Sequence, residues 1–150
     1  MTIEIVSTLP EHITELRENL RESDRKEIAC FGLPERKAIW RSYKVSILCK
    51  TALVDGKVGA IWGIGGCVLD NVGNPWLLTS DLCDKYPLKF AIEYRKEVRR
   101  ILGLFNVLEN MVDASYTKAV KMLEISGFQL SEGVPIGPHK AIFRKFRIEA

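Results

Sequence analysis

The pattern of apolar and polar positions divides the chain into alternating helical and extended stretches. From Pro87 to Phe105, Leu88, Ala91, Ile92, Val98, Ile101 and Leu102 repeat at helical spacing, while Lys89, Glu93, Lys96, Glu97 and Arg100 fill the other side. This is the clearest helix, and Pro87 suits its first turn. From Ser115 to Ser126, Tyr116, Ala119, Val120 and Leu123 form a second apolar stripe; Ser115 is its expected N-cap. Gly127 can adopt the left-handed conformation that ends a helix, and Phe128 then returns the chain to a core.

Extended segments lie between them. Thr2–Val6 reads as a short strand, and Leu9-Pro10 ends it. A helix is expected from Glu11 to about Glu27, with Ile13, Leu16 and Leu20 inward and charges of alternating sign outward. Cys30–Leu33 reads as a turn, and Pro34 opens a short helix through Trp40. Tyr43–Leu53, Val58–Leu69 and Trp76–Ser80 read as three strands of an antiparallel meander, joined by turns at Asp55-Gly56 and Asp70–Pro75. Phe105–Val112 is a further strand. Phe128–Ser131 and 141–148 form a closing pair across a loop holding Gly133, Pro135, Gly137 and Pro138. The predicted architecture is α/β: one domain over residues 1–150, with a mixed sheet of about seven strands and helices on both faces.

Glycines cluster in Gly59-Ala-Ile-Trp-Gly-Ile-Gly-Gly66. A phosphate-cradling glycine loop follows a strand and opens a helix. These glycines fall inside a strand that leads to a turn, so they predict a bulge or a close backbone approach.

Composition adds bounds. The 150 residues are 47% hydrophobic and 27% charged, as in an ordinary globular protein. The leading residues Met1–Val6 lack a basic lead and a long apolar run, so no secretory signal is expected, and no stretch has the length of a membrane helix. A cytosolic protein is expected. Cys30, Cys49, Cys67 and Cys83 are widely spaced, and only His12 and His139 could join them. Free thiols are expected, and no metal site. The net charge is −2 over residues 1–84 and +5 over residues 85–150. Of Trp40, Trp62 and Trp76, only Trp40 has basic residues beside it, so the pattern argues against nucleic acid as a partner.

The element order, with a strand–turn–helix step at Ser80 and a strand–helix–Gly–Phe step at 113–128, resembles the GCN5-related N-acetyltransferase (GNAT) superfamily. Ala119, Glu124, Gly127 and Phe128 match that family's second motif. The resemblance implies the acyl-CoA N-acyltransferase fold and binding of acetyl-CoA. A strand splayed from its parallel neighbour would expose backbone groups to the cofactor's amide-bearing arm, and the next segment would take the pyrophosphate. On this basis Leu78, Thr79 and Ser80 line the arm. Ser80–Tyr86 is the pyrophosphate loop, Lys85 and Lys89 add positive charge, and Lys118 and Ala119 flank the arm from the second helix. Tyr116 is the candidate acid, and Glu109 and Asp113 are candidate bases.

The chain departs from the family's pattern at three places. Its loop, Asp81-Leu-Cys-Asp-Lys-Tyr-Pro87, has no glycine and two carboxylates. Tyr116 stands where an asparagine is usual, and Leu123 where an acid tyrosine is usual. Trp76–Asp81, Phe90–Arg95 and Phe128 are also similar to the GNAT-like proteins of short-tailed bacteriophages, the internal virion protein A family. That resemblance implies a phage product acting in the host cytoplasm or packaged in the virion, with a virion or host protein as partner. Two functions are therefore expected in the alternative: transfer of an acetyl group from acetyl-CoA to an amine, or a catalytically silent protein that works by protein binding.

Overall fold

The computed structural model describes residues 2–30, 32 and 34–150. Seven strands are hydrogen-bonded in the order β1-β2-β3-β4-β5-β7-β6, and both parallel and antiparallel pairs occur. The chain packs as two compact units, Met1–Gly65 with Trp76–Tyr86 and Gly66–Pro75 with Pro87–Ala150.

In the first unit, β1 (Ile3–Ser7), β2 (Leu48–Val54) and β3 (Lys57–Cys67) are antiparallel neighbours. The β2–β3 turn is the expected one. Asp55 and Gly56 have φ of 49° and 81°, a pair of left-handed residues matching the twist of a hairpin. The helices α1 (Pro10–Asn19), α2 (Glu22–Cys30) and α3 (Glu35–Val45) lie between β1 and β2 along the chain. Ile13, Leu16 and Leu20 pack with Ile39 of α3 and with Val58 and Ile61 of β3 in one buried cluster. This is the apolar stripe expected of the first helix.

Two expectations change here. The single helix expected over 11–27 is two helices, because Leu20 leaves the helix and bridges Ser80 in antiparallel fashion. The helix expected to end at Trp40 continues to Val45. Trp40 and Tyr43 place their rings 5.5 Å apart one turn from each other, and Ser46 Oγ donates to the Ser42 carbonyl at the helix end. Of the turn expected at Cys30–Leu33, Cys30 belongs to α2, Gly32 has φ of 72°, and residues 31 and 33 lie outside the described residues.

The glycines of β3 do what the sequence suggests. A Cβ on Gly63 would lie 2.7 Å from the Trp76 ring, and one on Gly59 would lie 2.8 Å from Val54 Cγ2. Both positions are close approaches within the sheet. Trp76 Nε1 donates to Ser46 Oγ at 2.7 Å, which fixes the ring over Gly63.

β4 runs from Val72 to Thr79, not from Trp76 as expected. In the second unit its first residues pair in parallel with β5 (Val107–Asp113), as Val72↔Val107 and Gly73↔Leu108. Beyond Gly73 the bonding passes to side chains. Asn74 Nδ2 donates to the Glu109 carbonyl at 3.0 Å, and Asn110 Nδ2 donates to the Pro75 carbonyl at 2.8 Å. Pro75 is tolerated in a strand because its missing N–H falls where the ladder has ended.

The rest of the second unit is α5 (Pro87–Ile101), α6 (Thr117–Ile125), β6 (Gln129–Ile136) and β7 (Ala141–Glu149). α5 buries Phe90, Ala91, Tyr94, Val98 and Ile101; Leu88 and Ile92, expected inward, are exposed, and Glu97, expected outward, is buried. Burial alone pushes the Tyr94 phenol above its ordinary range. α6 ends as predicted: Gly127 has φ of 102°, and its N–H and that of Phe128 donate to the Glu124 and Leu123 carbonyls. Phe128 then meets Phe146 edge-on at 5.1 Å. Gly133 and Pro135, expected in a loop, belong to β6. A Cβ on Gly133 would run into Ile142 Cγ2, so glycine lets β6 and β7 close.

Candidate functional site

The predicted site residues are placed in two groups. The first gathers around the end of β4. Leu78 packs against the buried cluster of the first unit. Thr79 and Ser80 are buried. The Ser80 amide donates to the Gly59 carbonyl of β3 at 2.9 Å, and Ser80 Oγ donates to the Val58 carbonyl at 3.0 Å. Thr79 therefore presents its backbone on the edge opposite β3, since successive residues of a strand alternate.

That edge is engaged by the corner between α1 and α2. The Thr79 N–H and its hydroxyl both donate to Asp24 Oδ2, each at 2.9 Å. The Thr79 carbonyl accepts the Arg21 amide at 2.9 Å. Leu20 bridges Ser80, and Arg21 Nη2 pairs with Asp84 Oδ1 at 3.0 Å. Burial raises the Asp24 carboxyl above its ordinary value, against the lowering effect of the two Thr79 donors and of Arg21; Asp84 adds to the rise.

The loop after β4 folds into a short helix, α4 (Leu82–Lys85). Its amides are used locally. Cys83 N–H donates to the Ser80 carbonyl at 3.2 Å, Asp84 N–H to the Asp81 carbonyl at 3.1 Å, and Leu82 N–H to Ser80 Oγ at 3.4 Å. Cys83 Sγ donates to the Gly59 carbonyl at 3.0 Å, and burial pushes its thiol up to about 12. Lys85 and Tyr86 are exposed. Lys85, Ser80, Asp81 and Leu82 line one side of a cavity of about 600 Å³; Glu15, Glu18 and Lys57 are among the residues on the other. There the Glu15 carboxylate accepts the Val58 N–H through Oε2.

The second group lies on β5 and α6. Asp113 is buried at the end of β5, where its Oδ1 accepts the Ser115 N–H at 2.8 Å and the Ser115 hydroxyl at 2.7 Å. The Tyr116 N–H donates to the Asp113 carbonyl at 3.1 Å, so the two residues share one turn through their main chains. Tyr116, not Ser115, takes the N-cap position of α6, because the carboxylate of Asp113 draws Ser115 into the preceding turn. The Tyr116 side chain is half-buried. Glu109 points elsewhere: Lys145 Nζ and Arg147 Nη1 of the second unit meet its Oε2 at 3.1 and 3.2 Å. Lys89 and Lys118 are exposed, Ala119 is half-buried, and Leu123 is buried in the core.

Sequence reasoning missed Leu20, Arg21 and Asp24. They sat within an apparently continuous amphipathic helix, and no local signal marks a carboxylate that will serve a strand 55 residues away.

By structure, the chain aligns over 99% of its length with an acetyltransferase of the GNAT family from Bacillus anthracis, at a TM-score of 0.74, 7% identity and 95% coverage of that chain. The fold is that of the GNAT N-acetyltransferases. An N-acetyltransferase from Staphylococcus aureus Mu50 is similar at a TM-score of 0.71, with 11% identity and 99% of each chain covered. A ribosomal L7/L12 alpha-N-protein acetyltransferase in complex with coenzyme A gives a TM-score of 0.68 and 6% identity, with 99% of this chain and 94% of that one covered. No protein-family model matches the sequence, and no curated protein matches it by sequence.

The residues of this GNAT fold do not offer acyl-CoA a ready cradle. The Thr79 backbone groups that would meet an amide-bearing arm are bonded to Asp24 and Arg21. Residues 81–86 contain no glycine, and the first amides of α4 bond within their own turn. Asp81 adds a carboxylate to the segment expected to take a pyrophosphate, and Asp84 beside it is paired with Arg21.

Proposed function

We propose that this chain is an acyl-CoA-dependent N-acyltransferase with an atypical pyrophosphate loop. The observation that carries the reading is the match of the whole chain to solved N-acetyltransferases. Acetyl-CoA is the proposed donor and an amine the acceptor. Tyr116 is the proposed acid and Asp113, in the same β5–α6 turn, the proposed base, with Glu109 a second candidate base. Leu78, Thr79, Ser80, Lys85, Tyr86, Lys89, Lys118 and Ala119 are the proposed contacts to the donor. Isothermal calorimetry with acetyl-CoA and several longer acyl-CoAs tests this. The expected result is saturable binding of at least one; no heat at millimolar ligand refutes it.

A second reading is favoured by the glycine-free loop and by the burial of Leu123 at the family's acid position. On it, the chain is a silent member of the fold that binds a protein, as a bacteriophage product in the virion or the host cytoplasm. Acyl transfer by the pure protein that disappears in Asp113→Ala and Tyr116→Phe would refute this reading.

A further inference from the structure

We propose that the α1–α2 corner, residues Leu20–Asp24, is a strap that closes the free edge of β4 and must be displaced before acyl-CoA can bind. The proposal rests on the acyl-CoA reading above. Three bonds converge on Thr79: its N–H and hydroxyl go to Asp24, and its carbonyl accepts the Arg21 amide. With the Leu20–Ser80 bridge they make a one-residue mimic of an added strand. An extended ligand with amide groups would need those same backbone atoms. Closed strap and bound arm are mutually exclusive.

The strap also has somewhere to go. Residues 11–27 contain no glycine or proline, and Leu20, Arg21 and Glu22 are good helix formers. Released from β4, this stretch can join α1 and α2 into the continuous helix that its periodicity describes. Two arrangements of one segment, strap or helix, are the kind of element that switches between discrete states. The closed arrangement also carries an internal cost, because Arg21 Nε is buried without a hydrogen-bond partner. Burial of the Asp24 carboxylate works in the same direction.

The test combines amide hydrogen exchange with CoA titration on wild type, Asp24→Ala and Asp24→Asn. In free wild type, the Thr79 and Arg21 amides should be protected; in Asp24→Ala, Thr79 should exchange freely and the Cα shifts of Leu20 and Arg21 should move to helical values. CoA should bind Asp24→Ala about tenfold or more tightly than wild type, since the tax of opening is removed. Asp24→Asn keeps the side-chain volume and one acceptor, should fold if the alanine variant does not, and should bind with intermediate affinity. CoA bound to wild type should lower protection at Arg21. Equal affinities for wild type and both variants, or CoA binding that leaves Arg21 as protected as before, overturns the strap alone. No CoA binding to any of the three, with Thr79 exchanging freely in a variant, overturns the strap and the acyl-CoA reading together.

Discussion

Gly63→Ala puts a methyl group into the contact between β3 and Trp76. A Cβ there would sit 2.7 Å from Cε2, Cζ2 and Nε1 of the indole. Carbon atoms in good contact are about 3.5–4.0 Å apart, so the ring must move by roughly 1 Å. It is not free to do so, because Nε1 donates to Ser46 Oγ at 2.7 Å. Overpacking costs about 1–3 kcal/mol, and loss of the hydrogen bond adds about 1 kcal/mol. The alanine restricts the unfolded chain and returns about 0.4–1 kcal/mol. The expected net loss is about 1–3 kcal/mol, or a fall in Tm of roughly 2–12 °C for a chain of this size. Urea titration followed by tryptophan fluorescence measures it. Ser46→Ala should cost about 1 kcal/mol alone, and the double variant should fall short of the sum by about the same amount, because the two share one hydrogen bond. A Gly63→Ala protein within about 0.5 kcal/mol of wild type would show that the ring is loosely held and that the glycine is not required by close approach.

Three further outcomes are expected. Leu16→Ala removes a fully buried side chain from the α1–α3–β3 cluster and should cost about 2–5 kcal/mol by urea titration. Asp24, whose carboxyl is raised in the fold, favours the folded state most when protonated; its contribution is therefore complete below about pH 4 and is lost as pH rises through its folded value. The stability of wild type minus that of Asp24→Asn should fall with rising pH across that window, and a difference that rises with pH would contradict the burial of this group. Cys83, with its thiol pushed up to about 12, should resist iodoacetamide at pH 8 in native protein and react only on unfolding, as read by mass spectrometry.

Much of the fold was legible because its signals are local. The start of α5 at Pro87, the end of α6 at Gly127 and the Asp55-Gly56 hairpin each follow from a few neighbouring residues. The close approaches of β3 were also readable, since glycines inside a strand have few other uses. What was not legible is non-local. Nothing near Leu20 announces that it will leave its helix for Ser80. Nothing in the Asp70–Pro75 segment, rich in turn formers, announces that Val72 and Gly73 will pair with β5. The candidate site divides in the same way. Asp113 and Tyr116 are neighbours along the chain, so the turn bond between their main chains is local, while the Asp113 carboxylate turns to Ser115. The partners of Thr79 came from a helix that looked wet, and no spacing rule reaches across 55 residues.

Asn74 of β4 and Asn110 of β5 have a consequence for the accuracy of assembly. Backbone pairing is blind to residue identity, and a parallel ladder of two pairs, Val72↔Val107 and Gly73↔Leu108, could slide at little cost. Asn74 reads the carbonyl of Glu109, and Asn110 reads the carbonyl of Pro75, each strand thus checking the other. A slip of one residue would misplace both amides at once. The alignment of the short parallel pair is thereby written into side chains, at the place where the main chain stops recording it.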